Sequence, residues 1–150
     1  GMRYNIYVGK GWIPSVGFQV NLGMPWLSSD FNSNDVRPRM TLITAQRMAE
    51  KWGLTTNWGL FWNGNNSQPL GYYVINVSYD VADKWSVFIE PFGFIKNNYW
   101  EPHIDGGAAF LVNNDLQLDI AGGVGIGPDE FSDWFINAGV SWRVRFKEKV

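Results

Sequence analysis

From Trp134 to Phe146 the chain alternates with little interruption. One parity reads Trp134, Ile136, Ala138, Val140, Trp142, Val144 and Phe146, and the other reads Phe135, Asn137, Gly139, Ser141, Arg143 and Arg145. Successive side chains of a strand point to opposite faces, so the segment predicts a strand with one continuous apolar face and one mostly small, polar or cationic face. The same order recurs upstream. Leu116, Leu118, Ile120, Val124 and Ile126 oppose Gln117, Asp119, Ala121, Gly123 and Gly125, while Trp12, Val16, Phe18, Val20 and Leu22 oppose Ser15, Gln19 and Asn21. Pro14 removes a ladder donor there, which suits a strand end or bulge. Between Trp85 and Ile95 the polar parity is only partly polar, because Phe88, Phe92 and Phe94 share it with Ser86 and Glu90.

Turn signals divide the chain into nine strand-like pieces, near 3–9, 12–23, 36–48, 54–63, 70–79, 85–95, 103–112, 116–127 and 133–146. Connections at 9–11, 49–53, 80–84 and 113–115 are tight. Those at 24–35, 64–69, 96–102 and 128–132 are longer or more polar. One piece has a second reading: Leu42, Ala45, Met48, Ala49 and Trp52 also fit helical spacing, whereas Arg37, Arg39, Thr41 and Arg47 fall opposite Met40, Leu42 and Met48 at period two. Period two makes it a strand, with 49–53 as the turn. The expected architecture is a single all-β domain over residues 1–150, an antiparallel up-and-down β-barrel of outer-membrane type. Because bacterial single-chain barrels have even strand counts, about eight strands are expected, and either the first piece is not a barrel strand or strands are missing upstream.

Composition narrows the setting. Aromatics make up 17% of the chain, with nine Trp, and charged residues also only 17%, below the roughly 25% of an ordinary soluble domain. The net charge is −2 and there is no run of Lys or Arg, so no electrostatic footprint for nucleic acid exists. Cysteine is absent, which removes disulfides and thiolate ligands. No stretch approaches the roughly 18 apolar residues of a spanning helix, so a membrane role would need strands. Short turns on one rim and longer loops on the other match the periplasmic and extracellular ends of such barrels. Trp12, Trp52, Trp85 and Trp142 then fall near one rim, Trp26, Trp62, Trp100 and Trp134 near the other, and Trp58 in mid-strand. All of these but Trp26 and Trp58 are candidate membrane-interface aromatics, since an indole suits the headgroup layer. Residues 1–5 contain no apolar signal core; export then implies that a leader was removed or that the chain begins partway into a longer protein.

The stretch Phe88-Ile89-Glu90, then His103 to Gly107, Asn114 to Asp119 and the strand from Asp133 to Phe146 resembles the outer-membrane transporter-like family named after the phenol meta-degradation pathway. A weaker likeness reaches back through Lys10 to Pro14. The resemblance implies an outer-membrane barrel that passes small hydrophobic or aromatic compounds passively, with no enzymatic activity. Family barrels are generally longer, and this chain looks like their C-terminal part. Phe146 resembles the terminal aromatic of such barrels, although Lys147 to Val150 follow it.

With the apolar parity toward lipid, the lumen would receive Arg37, Arg39, Arg47, Glu90, Asp105, Asp119, Arg143 and Arg145. Buried charges persist only when paired or wet, so a ladder of Glu90, Asp105 and Asp119 facing the arginines is expected, either as a plug or as a polar constriction. His103 is the only histidine and no Cys exists, so neither a metal nor another cofactor is expected. His103 and Asp105 could supply two members of a hydrolase triad, but no nucleophile motif accompanies them. Gly122 to Gly127 lacks the Lys and helix of a phosphate loop and fits close packing or curvature instead. Asp30 to Asp35 is compatible with weak calcium binding or with a solvated loop. The expected partners are membrane lipid and a small hydrophobic solute, with oligomeric state open. Two rivals remain: a soluble lipocalin-like barrel with the apolar parity turned inward on a lipid or aromatic ligand, and a plugged envelope barrel whose loop 24–35, with Trp26, Leu27 and Phe31, binds a partner.

Overall fold

The computed structural model describes residues 1–24, 35–63, 68–96, 99–126 and 133–144. Its regular structure is nine strands: β1 (Met2–Tyr7), β2 (Ser15–Gly23), β3 (Arg37–Arg47), β4 (Trp52–Phe61), β5 (Leu70–Ala82), β6 (Trp85–Lys96), β7 (Tyr99–Asn113), β8 (Leu116–Gly125) and β9 (Trp134–Trp142). They form one antiparallel sheet in sequence order, each strand paired with the next. Among the described residues the count is nine rather than about eight, since the short first piece is a strand. Among the described residues the sheet is open, with β1 and β9 each paired on one side only.

The segment with two readings is a strand to Arg47. Its turn follows at once, with Met48 N–H donating to Trp52 O at 3.0 Å and Trp52 N–H to Ala49 O at 3.3 Å. The expected loop 96–102 is largely strand, with Lys96 already paired to Tyr99 and Gly93 to Pro102. Pro102 is tolerated because its carbonyl takes the Ile126 N–H at 2.8 Å, one residue past the end of β8, so its missing donor falls where the ladder has finished. Pro91 interrupts the β5–β6 pairing instead, between Val74↔Phe92 and Val77↔Ile89. Gly11, with φ of 63°, supplies the left-handed residue that the β1–β2 connection needs.

Register gives the sheet its stagger. Cross-strand partners followed from Asn5 through Gly17, Ile43, Asn57, Val74, Phe92 and His103 arrive at Gly125. The row starts beside the turn rim of β1 and leaves at the opposite rim of β8. This displacement of each strand along its neighbour is the offset a sheet needs to roll up.

The two faces differ as the alternation predicts. Thr41 and Ala121, both buried, belong to the mixed parity, and a cavity of about 380 Å³ lies mainly against that face. The mixed parity is therefore concave. On the convex side Trp134, Ile136, Val140 and Trp142 are 72, 70, 71 and 75% exposed. A soluble ligand barrel would turn these residues inward, and here they point away from the cavity. Total accessible surface is 11180 Å² for 17.1 kDa, against roughly 7,800 Å² for a water-soluble globule of that mass.

Candidate functional site

The concave face is built around an absent side chain. Gly59 lies between Thr41 on β3 and Tyr72 on β5, and a Cβ there would run into the Tyr72 ring. With only hydrogen in that place, Tyr72 lies across β4 and its hydroxyl meets the Thr41 hydroxyl. The fixed ring becomes a floor for Arg39, whose guanidinium carbon sits 4.6 Å from the Tyr72 centroid and 5.6 Å from that of Phe61. Such stacking suits a planar, weakly hydrated cation. Phe61 also meets Phe94 edge-on at 6.1 Å. Phe94 approaches His103 at 6.3 Å, and His103 stacks on Phe92 at 5.0 Å. An aromatic strip thus crosses the concave face from β4 to β7.

His103 lies within β7 on this strip, opposite Gly125 at the end of β8. Its Nδ1 is 3.3 Å from Glu101 O and its Nε2 is 3.7 Å from Glu101 Oε1. Among the described residues no three His, Asp or Glu side chains converge as metal ligands.

Among the described residues the polar side chains of the concave parity do not form the expected ladder. Glu90 and Asp105 are direct cross-strand partners. The Asn76 amide donates to Glu90 Oε2 at 2.9 Å, while Asp105 Oδ1 is buried without a hydrogen-bond partner. Asp105 has room to lean across β8 because Gly123 stands opposite it; a Cβ on Gly123 would lie 2.5 Å from the Asp105 Cβ and 2.8 Å from the Phe135 ring. Asp119 is in a different row, between Ala109 and Gly139. Arg37 pairs with Gly23 at the upper end of β3. Arg47 at the lower end makes an ion pair with Asp80 at 2.8 Å. Arg143 follows β9, its N–H donating to Asp115 O at 2.8 Å. Arg145 and Phe146 lie outside the described residues, as do Trp26, Leu27 and Phe31 and most of the loop read as a calcium or partner site.

Distance explains why the ladder is missing. Arg37, Arg39 and Arg47 are on β3, three strands from Glu90 on β6, or roughly 14 Å at the usual inter-strand spacing. Arg3, Arg37 and Arg39 occupy the β1–β3 side, and Glu90, Asp105 and Asp119 the β6–β8 side, where Lys96 ends β6 and Arg143 follows β9.

On the convex face the tryptophans collect at both strand ends. Trp52 packs on Tyr79 at 4.8 Å and Trp85 on Phe110 at 4.7 Å; Trp12, in the β1–β2 connection, and Trp142, closing β9, share that rim. At the other rim Trp100 Nε1 donates to the Tyr73 hydroxyl at 3.0 Å, and Tyr73 stacks on Trp58 at 5.9 Å. Trp58 is therefore tied to this belt rather than isolated in mid-strand. Trp134 opens β9 there, and Trp62 follows β4 with its N–H on Pro38 O at 3.0 Å. Sequence alternation missed Tyr72, Tyr73, Tyr79, Phe61 and Phe110 as members of these clusters.

A family model described as "Putative MetA-pathway of phenol degradation" matches residues 1–144. The chain belongs to that family. No curated protein and no solved structure was found to match it. Family and all-β fold together are compatible with an outer-membrane-type β protein.

Proposed function

We propose that this chain is an outer-membrane β-barrel protein acting as a passive conduit or binding barrel for small hydrophobic or aromatic molecules, without a catalytic step. The observation that carries the reading is the convex face: apolar along its strands, exposed, and bounded at both ends by aromatic belts. Water disfavours such a surface at roughly 25 cal/mol per Å², whereas a bilayer core accepts it and the headgroup layer takes the indoles. The concave face, with its mixture of rings, amides and charges, suits a wet lumen through which an amphipathic solute passes. The rim with the tighter turns would then be periplasmic.

Reconstitution into vesicles of brominated lipid tests this directly. Tryptophan fluorescence should fall strongly with bromine in the acyl chains and only weakly with aqueous iodide. Efficient iodide quenching, or a monomer soluble without detergent, would refute membrane insertion.

A further inference from the structure

We propose that the cavity beside Arg39 binds a small amphipathic acid, a molecule with a flat apolar body and one carboxylate. The proposal deepens the reading of the concave face as a solute-accessible lumen and rests on it. The cavity, about 380 Å³, is in the range that encloses small ligands. Arg39 is the one charged side chain among the described residues that line it. Its guanidinium face is taken by Tyr72 and Phe61, which leaves the N–H edge to meet a planar acceptor, and a carboxylate matches that edge bidentately. Among the described residues Arg39 meets no carboxylate of the protein.

The surroundings favour an anion over a neutral ring or a cation. Arg37 precedes Arg39 on the same face of β3, and Arg3 is paired with Gln19 at the cavity wall. The acid on the same cross-strand row, Glu101 opposite Phe94, stands against His103, while Glu90 and Asp105 lie on a row nearer the other rim. Asn21 and Asn57 add neutral polar contacts, and Val74 and Phe92 form an apolar wall for the ligand body. A hydrocarbon in this space would strip water from the guanidinium without replacing its hydrogen bonds.

Benzoate and benzyl alcohol, alike in ring and size but different in charge, are the probes, titrated by calorimetry into the detergent-purified chain. Benzoate should bind about tenfold tighter or more, as a charge-assisted hydrogen bond predicts. Arg39→Gln should abolish that preference while leaving benzyl alcohol within about twofold, and Arg39→Lys should keep part of it because the charge survives without the fork. Lys51→Gln, in the turn after β3, should change neither. Equal affinity for the two probes, or benzoate binding indifferent to Arg39→Gln, overturns the acid site and leaves the membrane reading standing. Benzoate selectivity in a chain that resists lipid quenching overturns membrane insertion and leaves the site. Should Arg39→Gln fail to fold, wild-type selectivity and the Arg39→Lys affinity decide in the same way.

Discussion

Gly59 shows how one missing methyl group positions the site. An added Cβ would meet both the Tyr72 ring and, at 2.5 Å, the Met40 carbonyl oxygen, and the backbone oxygen cannot swing away. Gly59→Ala should therefore displace the ring, part it from Thr41 and cost about 1–3 kcal/mol, the usual penalty of overpacking. Tyr72→Phe keeps the ring and loses only the hydroxyl, so about 1 kcal/mol is expected. Urea unfolding of both variants in the same detergent checks the order; a neutral Gly59→Ala would mean that close approach is not what holds the ring. None of this was legible in the sequence. The alternation put Arg39, Thr41 and the Phe88–Phe94 rings on one face, but which glycine faces which tyrosine depends on inter-strand register, and register is a property of two strands. For the same reason the sequence could not say which arginine would meet which carboxylate. Arg47 found Asp80 on β5, a residue that the sequence placed in a turn.

At the level of strands, legibility followed the purity of the alternation. The β8 and β9 strands, with nearly every apolar residue on one parity, were clear from spacing alone. The start of β7 was hidden by Asn97, Asn98, Glu101 and Pro102, all of them turn-forming or polar residues. Glu101 and Pro102 are accommodated because β7 outruns β8 there, so Pro102 leaves no ladder bond unmade. Sidedness gives a sharp test on β9, where Asn137 and Ala138 are adjacent, both exposed in the open sheet, and directed to opposite faces. Ala138→Arg should cost ~2–4 kcal/mol in a bilayer, the depth-dependent penalty for a cation on the lipid face, and Asn137→Arg much less. Refolding yield into vesicles and unfolding midpoint should separate the two variants. Equal costs would mean that both faces are wet.

For the whole molecule the open sheet sets a topological constraint. Nine strands in strict antiparallel order leave β1 and β9 running in the same direction. In a bilayer an uncovered edge exposes N–H and C=O groups that cost several kcal/mol each, so the edges must be covered. A seam between β9 and β1 of the same chain is parallel. So is a seam between two copies inserted with the same orientation, since a rotation about the membrane normal does not reverse a strand. Parallel pairing is slightly weaker per residue, and β1 offers only six residues to it. Cysteine cross-linking decides the matter cleanly because the chain has no cysteine of its own. Arg3→Cys and Asn5→Cys should be combined singly with Asn137→Cys, Gly139→Cys, Ser141→Cys and Arg143→Cys, all on the concave parity. A parallel seam predicts disulfides whose residue numbers rise together, so that the partner of position 5 lies two beyond the partner of position 3. An antiparallel seam predicts the reverse order. Dilution with unmodified chain distinguishes the remaining cases: within-chain disulfides persist and those between copies fade. The stagger of the sheet favours a rising diagonal near the end of β9, within one chain. A falling diagonal, or no disulfide at any combination, would show that the edges are covered by something other than each other.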